Sequence, residues 1–194
     1  FYDTDAVLTI SIHESGEFLF PGTGFTQETG SGVGRGYSVN LPLYPYTTDD
    51  VYLWAFRQVV PPLLEVFRPD VLVTQRGVDS HYLDPITHLA LTVQGFGRVV
   101  AELPRFAPKW LALGGGGYDL QAVARAWTTA YGIMSEQDFP DELPASYRDR
   151  YDVATLSDAE MPPVTERLRE DTRSYASKSV QEVRRLIFPT HGLR

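Results

Sequence analysis

An α/β fold built on a mainly parallel sheet is what this sequence predicts, and three observations predict it. Apolar runs of strand length end in glycine at Val71-Leu72-Val73-Thr74-Gln75-Arg76-Gly77 and again at Trp110-Leu111-Ala112-Leu113-Gly114, the pattern of strands buried on both faces. Segments with helical spacing of apolar residues alternate with these runs, giving the strand, helix, strand order whose crossover is right-handed in a parallel sheet. The loops after the two runs hold Asp79, His81 and Asp84 in one case and Tyr118 behind four glycines in the other. In open α/β sheets the ligand crevice lies beyond the carboxyl ends of the strands, so the two loops point to a single site.

Taken in order, Ala6 to Ile12 reads as a first strand, and Phe18-Leu19-Phe20-Pro21-Gly22-Thr23-Gly24 turns the chain with proline and glycine. The loop Gly30-Ser31-Gly32-Val33-Gly34-Arg35-Gly36 is glycine-dense, but it lacks the dinucleotide spacing and the Walker lysine and precedes a strand, Tyr37 to Leu43. It therefore reads as a surface loop rather than a phosphate cradle. From Thr48 to Pro69 the apolar residues Val51, Phe56, Val59, Val60, Leu63, Leu64 and Phe67 keep helical spacing, Thr47-Thr48-Asp49-Asp50 supplies a cap, and Pro61-Pro62 predicts a kink or restart. Further helices are expected over Val93 to Leu103 and Leu120 to Tyr131, the second with Asp119 at its positive end. Beyond Ser135 the chain turns polar and proline-rich. A last helix from about Val164 to Ile187, apolar on Leu168, Tyr175, Val183 and Leu186, is expected to cover the sheet. The whole, residues 1–194, reads as a single domain: a core with the site loops over 1–134 and a helical cover over 135–194.

Composition narrows the function classes. The 194 residues are 43% hydrophobic and 12% aromatic, which suits one sizeable core. The net charge of -8 argues against nucleic acid as a partner, because phosphate binding needs concentrated basic surface. With no cysteine, disulfides and thiolate metal sites are excluded, leaving Asp, Glu and four histidines as metal ligands. No apolar run approaches the roughly 20 residues of a membrane-spanning helix. A soluble, cytoplasmic protein without a membrane partner is the expectation. The first residue is Phe1 and a strand follows almost at once, so the chain reads as starting within a fold.

Among residues able to do chemistry, Asp84 before Pro85 reads either as a turn former or, given its place after a buried strand, as a carboxylate metal ligand. Asp79 reads as a loop-bracing residue that aims Asp84. His81 and His88 lie in no ligand spacing and read as satisfied loop or core residues. Tyr118 behind Gly114-Gly115-Gly116-Gly117 has two equal readings: a hydroxyl poised to donate to an oxyanion, or an amphipathic anchor after a tight loop.

The order Ser11-Ile12-His13, Phe20-Pro21-Gly22-Thr23-Gly24, Tyr37-Ser38-Val39-Asn40, Gly77-Val78-Asp79, Asp84-Pro85, Gly114-Gly115-Gly116-Gly117-Tyr118 and Ala124-Arg125-Ala126-Trp127 resembles the histone deacetylase superfamily. Asp79 to Leu89 is similar to the bacterial acetoin-utilization deacetylases within it. The resemblance covers Phe1 to about Tyr131. It implies an arginase/deacetylase-like three-layer fold and a zinc-dependent amidohydrolase acting on acetyl-lysine or a related acetylated amine. By the same resemblance Asp84 is a zinc ligand, Tyr118 polarises the acetyl carbonyl, Phe20, Gly116 and Gly117 line the acyl channel, and Leu91 lies near its mouth. Ser11 and Ile12 would belong to one potassium site, and Phe1, Thr4, Val7 and Tyr37 to a second.

The family's Asp-x-His zinc pair and His-His general-base pair fall upstream of the position that corresponds to Phe1. The expectation is thus the C-terminal part of a deacetylase with an incomplete site, inactive alone and partnered by the N-terminal half of the same enzyme. A non-catalytic binding module for acylated or basic peptides on the same fold is the alternative. An arginase-like manganese hydrolase is weaker, since Pro85-Ile86-Thr87 supply no further acidic ligands.

Overall fold

The computed structural model describes residues 1–194, and the order of its elements follows the order of the apolar runs. Strand β1 (Thr9–Glu14) lies parallel to β2 (Ser38–Leu43), with Thr9 opposite Ser38 and Glu14 opposite Leu43. Strand β3 (Leu72–Gln75) lies parallel to β4 (Trp110–Leu113), with Leu72 opposite Trp110 and Gln75 opposite Leu113. All pairing between these strands is parallel, as expected, but the ribbons are separate, and β2 and β3 do not share a sheet within this chain. The expected crossover from β2 to β3 is corrected accordingly. Hydrophobic pattern marks a segment as a strand without saying which neighbour it pairs with.

Helix α1 (Asp49–Phe67) joins the ribbons and runs unbroken through Pro61 and Pro62. The predicted kink or restart is absent: the buried stripe of Val51, Ala55, Val59, Leu63 on one side and Phe56, Val60, Leu64 beside it continues across both prolines. Tertiary burial on this scale outweighs the roughly 3 kcal/mol a helical proline costs. Thr48 is the cap position, though its hydroxyl donates to Asp50 rather than receiving a helix amide.

Helix α2 (Val93–Glu102) packs on α3 (Leu120–Ser135) through Val93, Phe96 and Val100 against Ala122, Ala126 and Ala130, whose four-residue spacing puts small side chains on one face. A short helix, α4 (Ala145–Tyr151), occupies the proline-rich segment where only turns were expected. Helix α5 (Glu166–Ile187) buries Thr172, Ala176, Val180, Val183 and Ile187, a stripe offset from the expected one, while Leu168, Tyr175 and Leu186 flank it half-buried. That stripe closes the larger core with Val39, Leu41 and Leu43 of β2.

Asp49 ties α1 to α2. Its Oδ1 accepts the Thr92 amide at 2.8 Å and its Oδ2 the Thr92 hydroxyl at 2.6 Å, while Thr92 caps α2 by accepting the Gly95 amide. Burial pushes the Asp49 carboxyl up, against the lowering effect of the Thr92 hydrogen bonds. A Cβ on Gly95 would fall on this carboxylate. Gly95→Ala should therefore destabilise the fold by about 2 kcal/mol, because overpacking costs about 1–3 kcal/mol and displaces the Thr92 contacts, whereas the helix propensity gain is only about 1 kcal/mol. Denaturant titration checks this; an unchanged or raised midpoint would mean the carboxylate moves aside freely.

Candidate functional site

The loops that leave β3 and β4 lie against each other. Val78 N donates to the Gly116 carbonyl at 2.7 Å, and a Cβ on Gly115 would stand 2.7 Å from the Gly77 amide nitrogen. Only residues without a side chain allow backbones this close. Gly116 presses on the Asp79 carboxylate, and Gly117 has φ +134°, a conformation other residues rarely adopt. Gly115, Gly116 and Gly117 are thus required by the contact between loops, Gly114 leaves room for the Trp127 ring, and the run delivers Tyr118 to its edge.

Asp84, only 8% exposed, is the centre of this contact. Its Oδ1 accepts the amides of Ile86 at 2.9 Å and Thr87 at 3.3 Å, and its Oδ2 accepts the Tyr118 amide at 2.8 Å. The two residues singled out from sequence are thereby joined directly, the tyrosine 55% exposed and the acid buried. Asp79 stands beside them: burial pushes its carboxyl up, the Asp84 charge pushes it further, and the amides of Asp79 and Ser80 act against both. Its carbonyl accepts the Thr87 hydroxyl. Asp79 thus braces the loop.

No group of three or more His, Asp or Glu side chains that could hold a metal forms in the chain. A carboxylate has about four acceptor positions, of which Asp84 uses three, so one is open to a cation. Catalytic zinc takes about three protein ligands. The residues present therefore fit as the source of one ligand and not as a whole site.

His81 and His88 are both held by acids. His81 Nε2 is 2.9 Å from Asp158 Oδ2, and Nδ1 accepts the Leu83 amide, so Nε2 carries the proton. Asp158 also accepts the Val93 amide at 2.7 Å and pairs with Arg125 at 2.8 Å. Burial alone would raise its carboxyl, but the hydrogen bonds from His81 and Val93 and the nearby positive charges hold it below the usual range. His88 Nδ1 lies 3.0 Å from Oε1 of Glu14, whose Oε2 takes the His88 amide at 2.6 Å. Sequence reading missed Glu14, Arg125 and Asp158, whose partners lie 31 to 77 residues away.

The other expected site residues hydrogen-bond to neither Asp84 nor Tyr118. Phe20 is 92% exposed on the turn after β1, and no hydrogen bond or aromatic contact ties it to Asp84 or Tyr118. Leu91, expected near a channel mouth, is 2% exposed and belongs to the larger core, because its backbone pairs with Ser80 and Tyr82 and turns the side chain inward. The potassium sites gain no support. The Ser11 hydroxyl meets His13, and Ile12 packs its side chain on the core. Phe1 is exposed, the Thr4 hydroxyl accepts the Ala6 amide, Val7 is half-buried, and the Tyr37 carbonyl accepts Thr9 N.

Parallel strands whose glycine-rich ends clasp a buried carboxylate under a tyrosine define an α/β protein with its site beyond the strand ends. Residues 1–134 match the histone deacetylase domain, and the chain belongs to that family. It is 40% identical over 205 residues to the acetoin utilization protein AcuC of Bacillus subtilis, across 95% of this chain and 52% of that protein. The AcuC protein of Staphylococcus xylosus is 41% identical over 151 residues, across 74% of this chain and 39% of its own length. Among solved structures, an HDAC homologue in complex with SAHA superposes with TM-score 0.80 at 29% identity, over 93% of this chain and 52% of its own. The fold is the deacetylase fold, and the chain spans about half the length of the curated relatives it matches.

Proposed function

We propose that this chain is the C-terminal part of a zinc-dependent deacetylase that hydrolyses acetyl-lysine or a related acetylated amine. The remaining zinc ligands and the proton-transfer histidines come from the N-terminal half of the same enzyme. The chain acts as one domain, and the site it carries is incomplete by itself. The observation that carries this reading is the 2.8 Å hydrogen bond from Tyr118 N to Asp84 Oδ2, which anchors the backbone of the tyrosine on a buried carboxylate with one free acceptor position.

In this reading Asp84 contributes one ligand and is held rigid by the three amides it accepts. When bound, zinc supplies Lewis acidity and lowers the pKa of its water to about 7. Tyr118 donates its hydroxyl proton in a hydrogen bond to the oxygen of the attacked acetyl group, where negative charge develops. The C–N bond of the amide breaks and a C–O bond forms, giving acetate and a free amine. Phe20, Gly116 and Gly117 line the path of the acyl-lysine chain, and small glycine walls let an extended methylene chain approach the backbone.

The full-length protein should release acetate from an acetyl-lysine peptide, lose that activity on chelation and regain it when zinc is restored. Activity untouched by metal removal would overturn zinc dependence. Tight peptide binding without hydrolysis, even with zinc present, would leave a binding module in place of an enzyme.

A further inference from the structure

Asp158 lies outside the 1–134 family match, in a segment without periodic pattern, yet its carboxylate is among the most heavily bonded in the chain. Oδ2 takes His81 Nε2 at 2.9 Å and Val93 N at 2.7 Å, Oδ1 meets Arg125 at 2.8 Å, and its own amide donates to Gln94 Oε1 at 2.8 Å. The side chains of His81, Arg125 and Asp158 are 3%, 5% and 3% exposed. A buried ion-paired network favours one geometry, because slack strips a buried charge of its partner; within this one only Arg125 Nε is left without an acceptor.

Each partner leads to one half of the site. His81 receives the Leu83 amide on its ring and the Asp84 amide at 2.9 Å on its carbonyl, so the ring's orientation sets the backbone that presents the Asp84 carboxylate. Arg125 sits in α3, the helix that starts just after Tyr118. We propose that Asp158 is a positioning residue that fixes the Asp84 loop and the Tyr118-bearing helix end relative to each other by gripping His81 and Arg125 at once. It thereby makes the C-terminal segment a part of the site's precision and more than a cover. This rests on the assignment of Asp84 and Tyr118 made above.

The test uses the full-length zinc-loaded protein and an acetyl-lysine peptide. A displacement of about 1 Å in a reacting group costs up to about 10²-fold in rate. Asp158→Asn should therefore lower kcat by about tenfold or more with KM within about twofold, zinc still bound. Amide hydrogen exchange should quicken by about tenfold over 81–87 and 118–122 but not over the β2 core around Leu41. His81→Phe, which keeps a ring but loses both nitrogens and leaves Asp158 its bonds to Val93 and Arg125, should lower kcat likewise and quicken exchange over 81–87 alone, which decides the matter should Asp158→Asn not fold. Unchanged exchange in both segments overturns the proposal. Faster exchange with wild-type kcat, while Tyr118→Phe abolishes turnover, also overturns it and leaves the site assignment standing. Wild-type turnover in Tyr118→Phe means that the assignment itself fails, and the positioning role with it.

Discussion

Asp84→Ala in the full-length protein should release zinc, with metal content falling at least about tenfold, and should abolish deacetylation. The expected loss is large because the carboxylate has two tasks. Under the proposed assignment it offers its one free acceptor position to the metal, and it accepts the amides of Ile86, Thr87 and Tyr118. Hydrogen bonds to a charged group contribute about 1.5–3 kcal/mol each, and the three part-buried amides lose their acceptor together. Metal analysis and a thermal melt on the same sample separate the two tasks. Zinc retained at the wild-type level would remove Asp84 from the ligand set, whatever happens to turnover.

Tyr118→Phe should act differently: a loss of about 10² to 10³ in kcat with zinc content, KM and melting temperature near those of the parent. The ring is 55% exposed, so removing its hydroxyl costs little stability. The backbone amide that anchors it to Asp84 is untouched by the substitution. Turnover close to the parent's would show that the hydroxyl makes no contact specific to the transition state.

The strand-end loops were legible because both follow apolar runs that stop at glycine, and four glycines before Tyr118 have no explanation in stability. Their structural reason is the approach of Gly115 to Gly77 and of Gly116 to Asp79. The family-level reading of fold and class followed from motifs in order from Phe1 to about Tyr131, and the family match covers 1–134. What the sequence hid depends on contacts between distant positions. Nothing near Asp158 announces that it grips His81, and Pro61-Pro62 look like a break until the apolar stripe that buries α1 is seen to run past them. Leu91 is placed near a channel mouth by the resemblance alone. The pairing of Ser80 and Tyr82 with its backbone decides in favour of the core. The strands β3 and β4 were read as buried on both faces, whereas Val73, Leu111 and Leu113 are 56%, 52% and 48% exposed.

That last feature governs how the chain behaves in a test tube. Two four-residue strands side by side present a patch of branched aliphatic side chains and two rows of unpaired backbone donors and acceptors to the solvent. Such a surface recruits further strands, its own copies included, and a net charge of -8 spread over the molecule opposes this only weakly at physiological salt. Expressed by itself, the polypeptide should therefore self-associate through this ribbon as its concentration rises, which light scattering on a dilution series checks.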